Sequence, residues 1–334
     1  MTSEELRTVV DRYPAAERPL APPVSLGGAG GLSGSRLWRY TSRSGDRLVR
    51  AWPSAIGVER VSRIHAWLRR LADLPFVPQP IATRAGDTIV RLHDRSWEVA
   101  PWLRGTSASI ERAHVDRVRA VFEALAKVHV RLAGSDARRG PSPGLSARCD
   151  EVAALRRSGF DEIERSLDLK ADDPLAGSAT TWLRSARRAA PDVLAAASPV
   201  VERAVWLQPC LRDARPGHFL FDQGRLSGLV DFGAMDVESV SADLARLAGE
   251  WFGPDDLSLR SEGLEAYGRI RPLESAEVEA AQAFETLADL LIGERWVRWR
   301  FLEGRRFDDR VYLDGIGRGL ARLGRLEVGR RSEP

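Results

Sequence analysis

The sequence predicts an α+β protein in two lobes: a small N-terminal antiparallel sheet with one helix, and a larger, mainly helical C-terminal lobe. Three observations carry that prediction. Residues 36–104 are short β-prone runs broken by Gly, Pro and Asp turns, with one helical period among them at 57–73. From residue 109 onward, apolar residues recur three and four apart over long segments. Between those helices, residues 207–236 hold a hairpin pattern with an aspartate before its first strand and another after its second. With 334 residues the chain can bury a large core, as two domains or one bilobal unit. The expected division is an N-terminal arm over 1–24, an N-lobe over 25–104 and a C-lobe over 105–334.

Composition narrows the setting. No run of about 18 apolar residues occurs, so no membrane span is expected. The opening stretch, MTSEELRTVVDRYPAAERP, carries acids and lacks the apolar core of a secretory leader. Two well-separated cysteines, Cys149 and Cys210, fit a reducing cytosol, so a cytoplasmic location is expected. Only Lys127 and Lys170 are lysines, so nearly all positive charge is arginine. It is spread along the chain and almost balanced by acids, leaving a net charge of +3. A nucleic-acid partner is therefore not expected.

Taken in order, residues 1–24 give a short helical pattern and then a Pro-rich extended segment, PAAERPLAPPVS. Residues 26–35, LGGAGGLSGS, form a Gly-rich loop leading into the alternating run 36–40. Glycine lets the backbone approach a phosphate closely, and amides there can donate to its oxygens, which makes Gly28, Gly30, Gly31 and Ser33 candidate contacts. A turn at Ser44-Gly45-Asp46 feeds a strand over 47–53. Val61, Ile64, Trp67 or Leu68, and Leu71 give the helix at 57–73 its apolar face, where His65 reads as a core histidine. The Pro-punctuated stretch 75–83 leads to strands at 87–92 and 96–103. Val115, Val118, Phe122, Leu125, Val128 and Leu132 form a buried helical stripe, a loop is expected over 134–148, and helices of mixed charge follow to 198. Beyond the hairpin, helices are expected over 242–251, 262–270, 275–303 and 311–328. Trp296 and Trp299, three apart on one of them, read as helix packing, the alternative being an aromatic face that cages a cation, which the interleaved Arg295, Arg298 and Arg300 oppose.

The hairpin holds the chemistry. Its strands, 219–221 and 226–230, are joined by the turn Asp222-Gln223-Gly224-Arg225, so Asp213 and Asp231 would reach the same end. Two acids so placed suit phosphoryl transfer. One orients an attacking hydroxyl and takes its proton; the other holds the magnesium that bridges the phosphates.

Leu211-Arg212-Asp213, His218 and Asp231-Phe232-Gly233 resemble the kinase pattern H-R-D-x-x-x-x-N followed by D-F-G. With Asp243-Leu244-Ala245, the stretch resembles most the aminoglycoside phosphotransferase and choline-kinase-like family of small-molecule kinases, with a divergent catalytic loop. The resemblance implies a bilobal protein-kinase-like fold, with ATP between the lobes under the Gly-rich loop. It implies Asp213 as catalytic base and Arg212 as a structural or phosphate-steadying neighbour. Asp231 and His218 become metal ligands for Mg2+, or for Mn2+, which imidazole suits better. Arg50 stands where the family keeps a lysine for the phosphates, and backbone near Glu98 and Ala100 would meet the adenine edge. The family's helix glutamate has only Glu59 and His65 as counterparts, and neither fits.

The expected function is thus ATP-dependent transfer of the γ-phosphate to a hydroxyl of a small molecule. The alternative is a nucleotide-binding, pseudokinase-like regulatory protein with little or no catalysis. Arg50, His218 and the missing helix glutamate favour the alternative, and retention of both Asp213 and Asp231 opposes it.

Overall fold

A computed structural model describes residues 3–27, 34–109, 114–134, 137–253 and 256–331. Gly28, Gly30, Gly31 and Ser33 lie outside the described residues. In chain order the elements begin with α1 (Ser3–Val10), β1 (Val24–Ser25), β2 (Arg36–Ser42), β3 (Gly45–Ala51) and α2 (Val58–Arg70). Then come β4 (Val90–Leu92), β5 (Arg95–Pro101), β6 (Thr106–Ser107), α3 (Val115–Leu132), β7 (Arg138–Gly140), α4 (Pro143–Ala154), α5 (Phe160–Asp168) and α6 (Ala176–Val201). The chain continues through β8 (Val205–Cys210), β9 (Phe219–Asp222), β10 (Arg225–Leu229), β11 (Asp236–Glu238), α7 (Val240–Trp251) and α8 (Leu257–Ile270). Last are α9 (Ser275–Phe301) and α10 (Asp309–Arg331).

The chain divides into two compact units: 1–134 with 215–236 and 258–271, and 135–214 with 237–257 and 272–334. In the first, the sheet runs β1-β2-β3-β5-β4, all antiparallel. Alternation sets its faces: Val49 and Ala51 of β3 and Trp97 and Val99 of β5 point into one core. Leu6, Val9, Val10 and Tyr13, from the segment expected as an arm, are buried in that same core. The hairpin forms as the sequence suggests, with Gln223 and Gly224 both at positive φ in a two-residue turn. It also pairs with β6, a strand too short for its pattern to be read. The stripe on α3 is buried from Val118 to Leu132, and α8 packs on it so closely that a Cβ at Gly263 would lie 2.8 Å from the Phe122 ring and 3.0 Å from Val118.

In the second unit a small sheet, β11-β8-β7, accompanies α4 to α7, α9 and α10. Residues 134–148, expected as a loop, instead hold β7 and the start of α4, whose cap is Ser142 before Pro143. Trp182 of α6, Phe284 and Leu287 of α9, and Tyr312 and Ile316 of α10 anchor the core. Gly293 admits the Trp182 ring, since a Cβ there would lie 2.1 Å from the indole nitrogen. Trp296 and Trp299 pack edge to face, and Arg305 covers the Trp299 ring at 4.5 Å. The aromatic face that could cage a cation is thus occupied by the protein's own arginine.

Candidate active site

The first unit contains a pocket of about 370 Å3. Leu37 and Leu48 of the sheet, Ile64 and Leu68 of α2, and Leu220 and Val230 of the hairpin give it apolar walls. Ala100, Pro101 and Trp102 form its strand-edge side. Its polar groups are few: Arg50, Glu98, His218 and Asp231. An apolar cleft with a few converging polar groups is the usual form of a cofactor site.

Arg50 is the centre of that polar set. Antiparallel pairing places it directly across from Glu98, and its Nε lies 3.8 Å from Glu98 Oε1. Its Nη2 lies 3.5 Å from Asp231 Oδ1, and its guanidinium sits 5.0 Å from the Trp52 ring centroid. Arg50 Nε is buried with no hydrogen-bond partner among the described residues. Glu98 in turn bonds His65 Nε2 at 2.5 Å, while His65 Nδ1 meets Thr88 Oγ1 at 2.8 Å. Burial alone would raise the Glu98 carboxyl, but the His65 hydrogen bond and the Arg50 charge outweigh it and hold the carboxyl below its ordinary range. The carboxylate that faces Arg50 thus comes from β5, not from α2, where Glu59 is exposed. His65 is buried as a core histidine would be, and it braces that carboxylate. Glu98 thus presents its side chain to the pocket, beyond the backbone contact the resemblance implied.

Asp231 follows β10 by two residues and takes φ +64°. The Val230 amide donates to the His218 carbonyl at 2.9 Å, which sets the two sides of the hairpin base. His218 Nε2 consequently lies 3.8 Å from Asp231 Oδ2. Arg60 of α2 pins the following segment, pairing with Asp236 at 3.0 Å and donating to the Met235 carbonyl at 3.2 Å. Nothing in the sequence marks Arg60 among so many arginines.

Asp213 and Arg212 belong to the second unit. Arg212 also takes a left-handed conformation, φ +62°, in the loop after β8. Leu211, where the resemblance expects a bracing histidine, is buried, and its amide donates to the buried Asp243 carboxylate at 2.7 Å. The brace is thus main chain to Asp243, from the DLA helix start. Asp213 Oδ1 accepts from Arg246 Nε at 3.1 Å, and Arg246 pairs onward with Glu250 at 3.0 Å. Asp243, Arg246 and Glu250 lie on one face of α7, a helical period present in the sequence itself.

The structure brings Arg50, Glu98, Ala100, His218 and Asp231 to one pocket, and places Asp213 and Arg212 on a braced, strained loop. Residues 27–284 match the sequence model of the phosphotransferase enzyme family, APH. A homoserine kinase of Afipia carboxidovorans is 30% identical over 232 residues, covering 63% of this chain and 63% of that protein. The chain therefore spans less than two thirds of that relative's length. Among solved structures, an aminoglycoside phosphotransferase from Alicyclobacillus acidocaldarius gives a TM-score of 0.66 at 19% identity, over 97% of this chain and 95% of that one. An aminoglycoside phosphotransferase in ternary complex with AMP-PNP and hygromycin B gives 0.56 at 15% identity, over 98% and 100%. At these identities the likeness is one of fold, the bilobal kinase-like fold with its small N-terminal sheet and helical C-terminal part. Fold, hairpin and sequence match converge, and the chain belongs to the phosphotransferase enzyme family.

Proposed function

We propose that this protein transfers the γ-phosphoryl group of ATP to a hydroxyl of a small molecule. The observation that carries the reading is Arg50, fixed between Glu98 and Asp231 in an apolar pocket with a buried donor unpaired. Arg50 would hold phosphate oxygens through its planar fork. The apolar walls would take the adenine, with backbone near Ala100 at its edge, and the Gly-rich loop with Gly28, Gly30, Gly31 and Ser33 would cover the phosphates. The neighbour that holds AMP-PNP supports an adenine nucleotide.

Asp231 and His218 offer a carboxylate oxygen and an imidazole nitrogen facing each other, a pair that fits a divalent cation. Asp231 and His218 would hold such an ion, and the chemistry supplied there would be neutralisation of phosphate charge. Asp213 would orient the acceptor hydroxyl and accept its proton late, because a loose transition state asks little covalent work of the protein. Arg246 would hold that carboxylate in place. Arg212 would steady the loop or a phosphate. The homoserine kinase relative makes homoserine the first acceptor to assay. A cytoplasmic location belongs to the same proposal; no helix among the described residues is long and apolar enough to cross a membrane.

The test joins a thermal melt to a turnover assay. ATP with Mg2+ or Mn2+ in large excess should raise the melting midpoint by several degrees. ADP release with a hydroxyl acceptor should follow, and Asp213→Asn should abolish it while leaving the melt shift intact. A shift without turnover on any acceptor would favour a binding-only protein. No shift with either metal would sink the nucleotide site.

A further inference from the structure

On the phosphotransferase reading above, Arg50 stands where the family keeps a lysine, and that exchange needs a support. An ammonium is a point charge with freely turning donors, whereas a guanidinium offers its donors only in one plane. An arginine must therefore be oriented before it can hold phosphate. The side chain two residues on supplies a surface for this. Trp52 shares a face of the strand with Arg50, lines the same pocket and is 4% exposed. Its main chain is pinned on both sides: the amide donates to the Ser96 carbonyl at 2.9 Å, and the carbonyl accepts from Arg95 Nη1 at 3.0 Å. The Arg50 guanidinium lies over the indole, its Cζ 5.0 Å from the ring centroid. A Cβ on Gly233 would lie 3.6 Å from Trp52 Cζ3 and 3.7 Å from Arg50 Nη1, so the backbone at 233 passes against the place where ring and guanidinium meet. Glu98 and Asp231 attract the guanidinium, but at 3.8 and 3.5 Å they are too far to fix its plane by hydrogen bonding.

We propose that Trp52 is a positioning residue for phosphate recognition: its indole face sets the plane of the Arg50 guanidinium and turns an N–H edge toward the phosphate oxygens of the nucleotide. The ring attracts the cation through its quadrupole and uses none of its N–H donors, which a further carboxylate would consume. Arginine and tryptophan are then a matched pair, and the pair does the work of a lysine on this strand. Trp52 acts on the polyphosphate through Arg50 and contributes nothing to holding the base or sugar.

Isothermal titration with Mg2+ present compares AMP-PNP with adenosine, which has the base and sugar but no phosphate. It is run on the unaltered chain, on Trp52→Leu, Trp52→Phe and Arg50→Gln, and on Arg50→Gln combined with each Trp52 variant, with a melt of each to establish that it is folded. Trp52→Phe keeps a smaller aromatic face and decides the matter where Trp52→Leu does not fold. The unaltered protein should prefer AMP-PNP by at least about a hundredfold, as charge-assisted phosphate contacts predict. Trp52→Leu should lower that ratio about tenfold and Trp52→Phe about threefold, the yield of one cation–π contact away from water, with adenosine affinity within about twofold throughout. In the Arg50→Gln background either Trp52 change should move the ratio by less than about 1.5-fold, because the cation on which the ring acts is gone. A ratio untouched by both Trp52 variants overturns the proposal. So does a parallel loss of adenosine and AMP-PNP, the mark of a merely structural tryptophan, or an equal loss with and without Arg50. In all three cases AMP-PNP preference in the unaltered protein leaves the phosphotransferase reading standing. No AMP-PNP binding, or no preference over adenosine, in the unaltered protein fails that reading and this proposal with it.

Discussion

Replacing Glu98 by Gln probes the polar centre of the pocket. Glutamine keeps the shape and can still meet His65, but it removes the negative charge 3.8 Å from Arg50 Nε. At an effective dielectric of about 20, unit charges that far apart interact by about 4 kcal/mol. Desolvating the carboxylate offsets part of this, and Asp231, 3.5 Å from Arg50 Nη2, retains some compensation. A net loss of about 2 kcal/mol near neutral pH is expected. Because the folded carboxyl is held below its ordinary value, its contribution is complete above the unfolded value and disappears as pH falls through the folded one. The gap between the two proteins should therefore close at pH values below about 4. Urea unfolding at near-neutral and acid pH, with slopes compared to guard against a changed unfolded state, measures it. A gap under about 0.5 kcal/mol near neutrality, or one that persists undiminished in acid, refutes the reasoning.

Other outcomes follow from the same geometry. Asp231→Asn should weaken metal-dependent nucleotide binding by at least about tenfold in titration, and unchanged affinity would remove it from the metal site. His218→Asn should shift metal preference from Mn2+ toward Mg2+ in the turnover assay, whereas an unaltered preference would mean the imidazole is not a ligand. Gly293→Ala places a Cβ 2.1 Å from the Trp182 indole nitrogen. It should cost about 3 kcal/mol or more of stability with the nucleotide affinity of the folded protein untouched, and a melt within a degree of the original would contradict the packing described.

The parts legible in the sequence are those fixed by periodicity or by turn chemistry. The stripe from Val118 to Leu132 and the Gln223-Gly224 turn needed only local pattern, and both stand where expected. Where a motif singled out a residue, as with Asp231 and Arg50, that residue lines the candidate pocket. What escaped depends on pairing across distant segments. Glu98 became the partner of Arg50 because β3 and β5 lie side by side in one register, which no local window reveals. β6 and β7 are two and three residues long, stabilised by their neighbours more than by their own propensity. The Arg60 contacts and the Asp243 brace also span long sequence separations, and in a chain so rich in arginine a single structural one leaves no compositional trace.

Arg212 and Asp231 share a property with consequences for how this protein can change. Both are non-glycine residues held at positive φ, where a side chain costs about 1 kcal/mol or more relative to glycine. Glycine at either place would relax the backbone, a gain in heat tolerance offset in part by the freer unfolded chain and, at 231, by loss of the contact with Arg50. The same exchange would delete a candidate metal ligand at one position and a guanidinium beside the candidate base at the other. Pressure for durability and pressure for turnover therefore act in opposite directions on the same two torsion angles. A lineage released from the need to catalyse should yield there first.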